Sequence, residues 1–365
     1  MKAKILELLR RKGDYVSGQE LCTILQVSRT AIWKAMQSLQ KEGYHIEAVR
    51  NRGYRLVEDD DNAHPGPDPV SGAETIRPGQ FRDIYSRNEI LSRLEEESGV
   101  GEVVFFDTID STNSEAARRA EAGADEGLLI VSDDQSLGRG RRGRSWISPS
   151  GCNVYFSYMC RPRITPEKAP MLTLLMALAV CRGMEKVCTG SALKTSGRQR
   201  RTVRDEFLPM IKWPNDIVIS GKKCCGMLTE MSCESDFVRY VVIGVGINVR
   251  HREFDPEIAS TAIALDDAWS MNVKRSVLTA EIMNEFGPLL EQFVCEGDLG
   301  FVRSAYLDRL VNAGKRVRVL DPAGEYDGRA RGINERGELL VETDDGNVKE
   351  VNSGEVSVRG IYGYV

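Results

Sequence analysis

Apolar residues first gather at Ile5, Leu6, Leu8 and Leu9, a helical spacing that Gly13 stops, so the chain opens on a short amphipathic helix. The stretch SGQELCTILQ begins with Ser17, and Glu20 three residues later completes a capping box for a second helix. SRTAIWKAMQSLQKEG repeats the device, with Ser28 as cap, Gly43 as terminator, and Ile32, Trp33, Met36 and Leu39 as the expected core side. Between these two helices lie only Gln26 and Val27, the short turn of a helix-turn-helix. YHIEAVRNRGYRLV then alternates about Arg50-Asn51-Arg52-Gly53, which reads as a hairpin. Three helices and a hairpin predict a winged helix-turn-helix over residues 1–57.

The pattern then lapses. Residues 58–80 are acidic, rich in proline and glycine, and without an apolar period, so a linker is expected over 58–84. A linker of that length leaves the head loosely placed. Periodicity returns from 85 to about 312, the expected main domain. There GLLIVSDDQ (127–135) and YVVIGVGINV (240–249) read as strands, and the run 169–180, broken only by Thr173, reads as a buried helix too short to cross a bilayer. Within this domain residues 188–206 are polar, basic and non-periodic, as expected of a flexible surface insertion. Residues 313–365 alternate short β segments with Gly, Asp and Asn turns, which predicts a small five-stranded SH3-like barrel.

Charge changes the reading of the head. The whole chain carries −5, but residues 1–57 hold eleven Lys/Arg against five acids, a net of +6, which leaves about −11 on the remainder. A basic head on an acidic body points to a polyanion-binding module. With the third helix entering a DNA major groove, Ser28, Arg29, Thr30 and Lys34 are the candidates for bases and phosphates, and Arg50 and Arg52 on the wing reach the backbone or minor groove. The alternative is a protein-docking domain. Nine cysteines without a C-x-x-C pair, and only three scattered histidines, give little support to a zinc site or a His-based nucleophile. The cysteines read as reduced, partly buried thiols of a cytoplasmic protein. Met1 leads straight into a charged amphipathic pattern, so neither a signal peptide nor a membrane partner is expected.

The main domain holds the candidate chemistry. Residues 138–144, GRGRRGR, pack three glycines and four arginines together. Such a run is either a solvated basic loop or an anion cradle, in which glycines turn backbone N–H groups inward and guanidiniums neutralise phosphate. Its place between two core strands favours the cradle. Ser111, Thr112 and Asn113 stand at a strand end before an alanine-rich helix, suited to a polar ligand ring or to capping alone. Lys212 sits between Ile211 and Trp213, ahead of Asn215 and Asp216. Gly244 and Gly246 would let a ligand approach the backbone of a strand that ends at Asn248.

Taken in order, D-S-T-N (110–113), Gln135 with G-R-G-R-R-G-R, W-x-S-P-x-G (146–151), K-W-P-N-D (212–216) and G-x-G-x-N (244–248) resemble the biotin–protein ligases that double as biotin-operon repressors. The resemblance implies an α+β multidomain chain whose central domain is like the class II aminoacyl-tRNA synthetase core. It implies ATP and biotin as substrates, with Mg²⁺ and no assigned metal ligand. Biotinyl-5′-adenylate forms first, and biotin then passes to a lysine of the biotin carboxyl carrier protein of acetyl-CoA carboxylase. Ser111, Thr112, Asn113, Gln135, Arg139, Gly140, Arg141 and Lys212 would hold biotin, with Lys212, Arg139 and Arg141 as the catalytic set. Arg144, Trp146, Asn215, Asp216, Gly246 and Asn248 would hold ATP and the adenylate. Operator DNA and a second copy of the chain are the implied partners. The sequence departs from the family at 188–206, where a shorter connection is usual. A lipoate–protein ligase, and a ligase-derived sensor acting only on transcription, are the alternatives.

Overall fold

The computed structural model describes residues 1–57, 83–190, 204–234, 237–321, 324–353 and 357–360. The expected linker, except for residues 83 and 84, and residues 191–203 of the expected insertion lie outside them.

The head is built as its caps and periodicity dictate. Helices α1 (Lys2–Lys12), α2 (Gly18–Leu25) and α3 (Arg29–Lys41) precede a hairpin of β1 (Ile46–Val49) and β2 (Gly53–Leu56). Gly13 ends α1 at φ +65°, and the hydroxyls of Ser17 and Ser28 accept the backbone N–H groups of Glu20 and Ala31 at 3.0 and 3.2 Å. Ile5, Leu6, Leu9, Leu21, Ile32, Met36 and Leu39 form the core of this unit. Trp33 does not join them. It is 51% exposed, because one residue after Ile32 the helix has turned away from the core.

The main domain contains α4 (Arg87–Leu91), β3 (Glu102–Ile109), α5 (Thr112–Glu121), β4 (Leu128–Gln135), β5 (Val154–Cys160) and α6 (Ala169–Cys188). After these come β6 (Met210–Lys212), β7 (Asp216–Ile219), β8 (Lys222–Glu234), β9 (Phe237–Ile247), α7 (Leu265–Trp269), α8 (Arg275–Glu296) and α9 (Arg303–Leu307). The seven strands form one sheet in the order β3-β4-β5-β9-β8-β7-β6, antiparallel except for the β3–β4 pair that the α5 crossover joins. Side chains alternate between its faces. Phe156, Tyr158, Ile243 and Val245 join α6 and α8 in the large core. Leu128, Ile130, Met159 and Val242 face α5 with Ala116 and Ala120. Among the described residues no helix is long and apolar enough to cross a membrane.

The C-terminal strands β10 (Arg316–Leu320), β11 (Tyr326–Ile333), β12 (Leu339–Glu342), β13 (Val348–Val351) and β14 (Ser357–Gly360) make a five-stranded antiparallel sheet in the order β13-β12-β11-β10-β14. Its core is continuous with that of the main domain. Trp213, buried to 1%, ties the two together, with its indole N–H donating to the Gly337 carbonyl at 3.0 Å and its backbone N–H to Asn312 Oδ1 at 2.9 Å.

The head is not loosely placed. Arg10 of α1 donates both Nη2 bonds to Glu89 of α4 at 2.6 Å and a further one to Ser92, while Arg93 Nε reaches Glu89 at 2.8 Å. Ile84 packs against the head's core. A buried ion pair and an inserted apolar side chain therefore dock the head on the main domain. Burial would raise the Glu89 carboxyl, but the charges and hydrogen bonds of Arg10 and Arg93 outweigh it and hold the group at about 2, from the usual 4.5. A carboxyl depressed by folding stabilises fully above its unfolded value and loses that contribution as pH falls through its folded one. Docking should therefore be insensitive to pH between 5 and 8 and weaken below about pH 4.5. Arg10→Ala should cost about 2 kcal/mol of docking. Hydrogen exchange of α1 and α4 measures both, and unchanged protection in Arg10→Ala at pH 7 would refute the anchor.

Candidate active site

The face of the sheet under α5 changes character along its length. It is apolar at Met159 and Val242, and two residues further on it is small, at Ser157, Gly244 and Gly246, with Gly226 across from Gly246 on β8. Side chains are missing there because others occupy the space. A Cβ on Gly244 would stand 2.0 Å from Asn113 Oδ1, and one on Gly246 would stand 2.6 Å from the Trp146 indole. Asn113, in the first turn of α5, donates to Glu230 Oε2 at 2.8 Å and to the Leu228 carbonyl at 3.2 Å, and its Oδ1 lies 2.6 Å from Ser157 Oγ. Ser111 is both the N-cap of α5 and part of the cleft lining. Thr112 donates through its backbone N–H and hydroxyl to Gln135 Oε1, whose amide donates on to Ser148 at 3.0 Å. The polar floor is thus a connected network whose groups hold one another's orientation.

The arginine-glycine loop folds back as a small closed turn. Trp146 N–H donates to the Gly138 carbonyl at 2.9 Å, Gly140 N–H to Arg144 at 2.8 Å, and Arg142 takes φ +59°. A Cβ on Gly138 would meet the Trp146 carbonyl at 2.2 Å, so glycine is required for this closure. Arg139 pairs with Glu230. Arg141 Nη1 donates to Asn215 Oδ1 at 2.8 Å and its Nη2 to the Ser353 carbonyl at 2.6 Å. Burial lowers the Arg141 pKa, with the charge of Asp216 opposing it. An arginine stays charged under such pressure, so a half-buried cation faces the cleft.

Ser111, Thr112, Asn113, Gln135, Arg139, Gly140, Arg141, Trp146, Asn215 and Gly246 all line one cleft. Lys212, Arg144, Asp216 and Asn248 are not in that lining. Lys212 closes β6 and is only 6% exposed, and Arg144 is exposed at the loop's end. The lysine in the cleft is Lys223. Its Nζ lies 2.6 Å from Asp216 Oδ1 and 5.4 Å from the centre of the Trp146 ring, within cation–π range. Reading by alternation misses it, because Lys223 and Gly226 have opposite parity. The ladder slips between Ile217↔Cys225 and Val218↔Lys223, so Cys224 is the extra residue of a bulge and Lys223 returns to the face of Gly226. Two adjacent, fully buried cysteines are the trace of that bulge. The Trp146 indole N–H is buried without a hydrogen-bond partner among the described residues, a donor left for a ligand.

On the head, Ser28, Arg29, Thr30 and Lys34 are exposed at the start of α3, and Arg50 and Arg52 at the hairpin turn. Gln19 Oε1 accepts from Arg29 Nη2 at 2.8 Å, and the Arg52 guanidinium stacks 4.4 Å over the Tyr15 ring.

A sheet floor with a polar network, a closing arginine-glycine loop and a helix-turn-helix head define a class, a protein ligase core joined to a DNA-binding type of module. Residues 105–248 match the biotin/lipoate A/B protein ligase family, residues 2–55 an HTH domain, and residues 313–359 the biotin protein ligase C terminal domain. The bifunctional ligase/repressor BirA of Bacillus subtilis (strain 168) is 34% identical over 361 residues, 98% of either chain. Its namesake from Escherichia coli (strain K12) is 29% identical over 98% of this chain and 96% of its own. The biotin protein ligase of Aquifex aeolicus, solved in complex with biotin and ATP, aligns at a TM-score of 0.59 and 27% identity, covering 71% of this chain and 99% of that one. The chain belongs to the bifunctional ligase/repressor family.

The glycine floor is directly testable. Gly244→Ala forces a methyl into the place of the Asn113 amide and should destabilise the domain by about 1–3 kcal/mol. A melting temperature equal to wild type would show that Asn113 is not held there.

Proposed function

We propose that the chain is an ATP-dependent biotin–protein ligase that also represses transcription in response to biotin. The observation that carries the enzymatic reading is the cleft itself, where a polar network, the cations Arg139, Arg141 and Lys223, and an indole N–H without a partner among the described residues converge over glycines.

In this reading Ser111, Thr112, Asn113 and Gln135 hydrogen-bond the ureido ring, where a missing partner would leave buried polar groups unpaired and so discriminate strongly. A biotin carboxylate oxygen attacks the α-phosphorus of ATP. The bond from that phosphorus to the pyrophosphate oxygen breaks, giving biotinyl-5′-adenylate and pyrophosphate. Lys223, released from Asp216, and Arg141 stabilise the negative charge that builds on the α-phosphate oxygens. The lining of the cleft favours Lys223 for the role that the K-W-P-N-D resemblance gave to Lys212, and Trp213 supports the junction with the C-terminal sheet. Arg139 and Gly140 close over the acyl chain, Trp146 offers its face and N–H to the nucleotide, and Asn215 and Gly246 bound the same space. Among the described residues no three His, Cys, Asp or Glu side chains gather to hold a metal. Mg²⁺ would therefore arrive on the triphosphate, largely hydrated. The ε-amine of a carrier-protein lysine then attacks the acyl carbon, AMP leaves, and the nitrogen sheds its extra proton as the amide forms. The biotin carboxyl carrier protein and a cytoplasmic setting complete the reading.

The repressor half rests on the head. A single winged helix covers one half-site, so operator binding needs two copies at fixed spacing. A ligand that favours the dimer then also favours the DNA complex, by the same coupling.

Biotin-dependent exchange of labelled pyrophosphate into ATP tests the enzyme. It should occur with biotin and not with lipoate; exchange with lipoate alone, or with neither, would overturn the assignment. In the same assay Lys223→Ala should fall about 30- to 1,000-fold, the size of a lost charge-stabilising donor. Lys212→Ala, where soluble, should fall much less, and the reverse order would return the role to Lys212. For the head, Arg29→Ala with Lys34→Ala should weaken operator DNA and leave exchange unchanged. An equal loss of exchange would mean that the head serves the ligase and not DNA.

A further inference from the structure

The third helix of the head carries a side chain that its own fold does not use. Ile32, Ala35, Met36 and Leu39 form the buried stripe of α3, and the exposed stripe runs through Arg29, Thr30, Trp33, Lys34 and Gln37. Trp33 stands in the middle of that stripe, half exposed, and among the described residues its side chain makes no hydrogen bond or ring contact. The face of α3 that carries Arg29 and Lys34 thus also presents an indole to solvent.

The surroundings say with what. Arg29 precedes Trp33 by one helical turn, its guanidinium steadied by Gln19, and Lys34 follows it. Arg50 and Arg52 are exposed on the wing, and the whole head carries a net +6. Charge of this sign suits phosphates and disfavours a basic or purely apolar protein surface. With Arg29 and Lys34 on either side of Trp33 gripping the backbone, the indole between them is what meets the base edges. Tryptophan has no acceptor and a single N–H, so it is poorly matched to the cytosine amine. The apolar feature on the major-groove floor is the thymine 5-methyl group.

We propose that Trp33 is a sequence-reading residue whose indole packs against thymine methyl groups in the major groove. The proposal rests on the DNA-binding reading of the head and adds to it the base that is read and the residue that reads it. The phosphate contacts of Arg29 and Lys34 supply affinity for any duplex. Trp33 supplies preference.

The test uses the full-length protein and duplexes that it enriches from a random 40-bp library. Affinity is measured by fluorescence anisotropy on the enriched duplex, on a scrambled duplex, and on the enriched duplex with uracil in place of thymine. Wild type should lose about tenfold on uracil substitution, in the range of a lost base contact. Trp33→Ala should lose about tenfold on the thymine duplex, nothing further on the uracil duplex, and nothing on the scrambled one. Lys34→Ala should weaken all three and lower the salt slope by about one. Wild-type affinity that is indifferent to uracil, or a Trp33→Ala variant that keeps the full thymine preference, overturns the proposal while leaving the DNA reading intact. If the wild-type protein enriches and binds no duplex, both fall, and Trp33 is a contact for a protein.

Discussion

The absence of side chains at Gly226, Gly244 and Gly246 is the constraint on which the site depends. A β-sheet face normally presents a residue every second position, and a ligand or a neighbouring segment can lie on the backbone only where those residues are glycine. Here the vacancy is shared. Asn113 enters over Gly244, and the Trp146 indole lies over Gly226 and Gly246. The first turn of α5 is thereby fixed against β9, and the far end of the arginine-glycine loop against β8. Gln135, Ser148 and Ser157 then join the two sides through hydrogen bonds that each satisfy a buried group.

Charge does the corresponding work at the joints. Asp83, the first described residue at the end of the expected linker, pairs with both Arg250 and Arg275, and Arg275 also reaches Asp133 near the end of β4. Asp133 accepts the Ser150 hydroxyl and the Gly151 N–H of the segment that follows Trp146. The same short stretch of chain contributes Ile84 to the head's core and Glu89 to the Arg10 anchor. Each of these ions is costly to bury alone and inexpensive in company, so the arrangement holds as a unit or not at all. The C-terminal sheet is joined differently, by apolar contact and by Trp213, and it reaches the cleft through the Ser353 carbonyl on Arg141.

Much of this architecture was legible because local chemistry dictates it. Ser17, Ser28 and Gly13 place helix ends by hydrogen-bonding rules that operate within four residues. The apolar run at 169–180 is the buried helix it reads as, and the alternation around 240–249 is a central strand. The head's excess of positive charge needs no coordinates to be seen. The grouping of Asn113, Gln135 and Arg141 could be guessed from motif order, but not their bonding.

What the sequence alone did not decide lies where non-local packing overrides a local rule. Lys212 has apolar neighbours on both sides, which suggested a lysine held for chemistry; in the structure Ile211 and Trp213 are tied to the C-terminal junction, and the lysine that lines the cleft is Lys223. Lys223 enters the cleft because a bulge at Cys224 reverses the facing of the strand, and a bulge belongs to a pair of strands. Trp33 reads as core by composition and is turned to solvent by the angle of one residue on a helix whose buried stripe is already full. The head's position follows from Arg10 and Glu89, 79 residues apart in a chain whose intervening composition says only that it can bend. The sequence by itself determined the elements, the caps and the charge of the head. Which face each strand turned to the cleft, and how the head is held, were decided by tertiary contacts, because burial and strand register are properties of pairs of segments that no single segment contains.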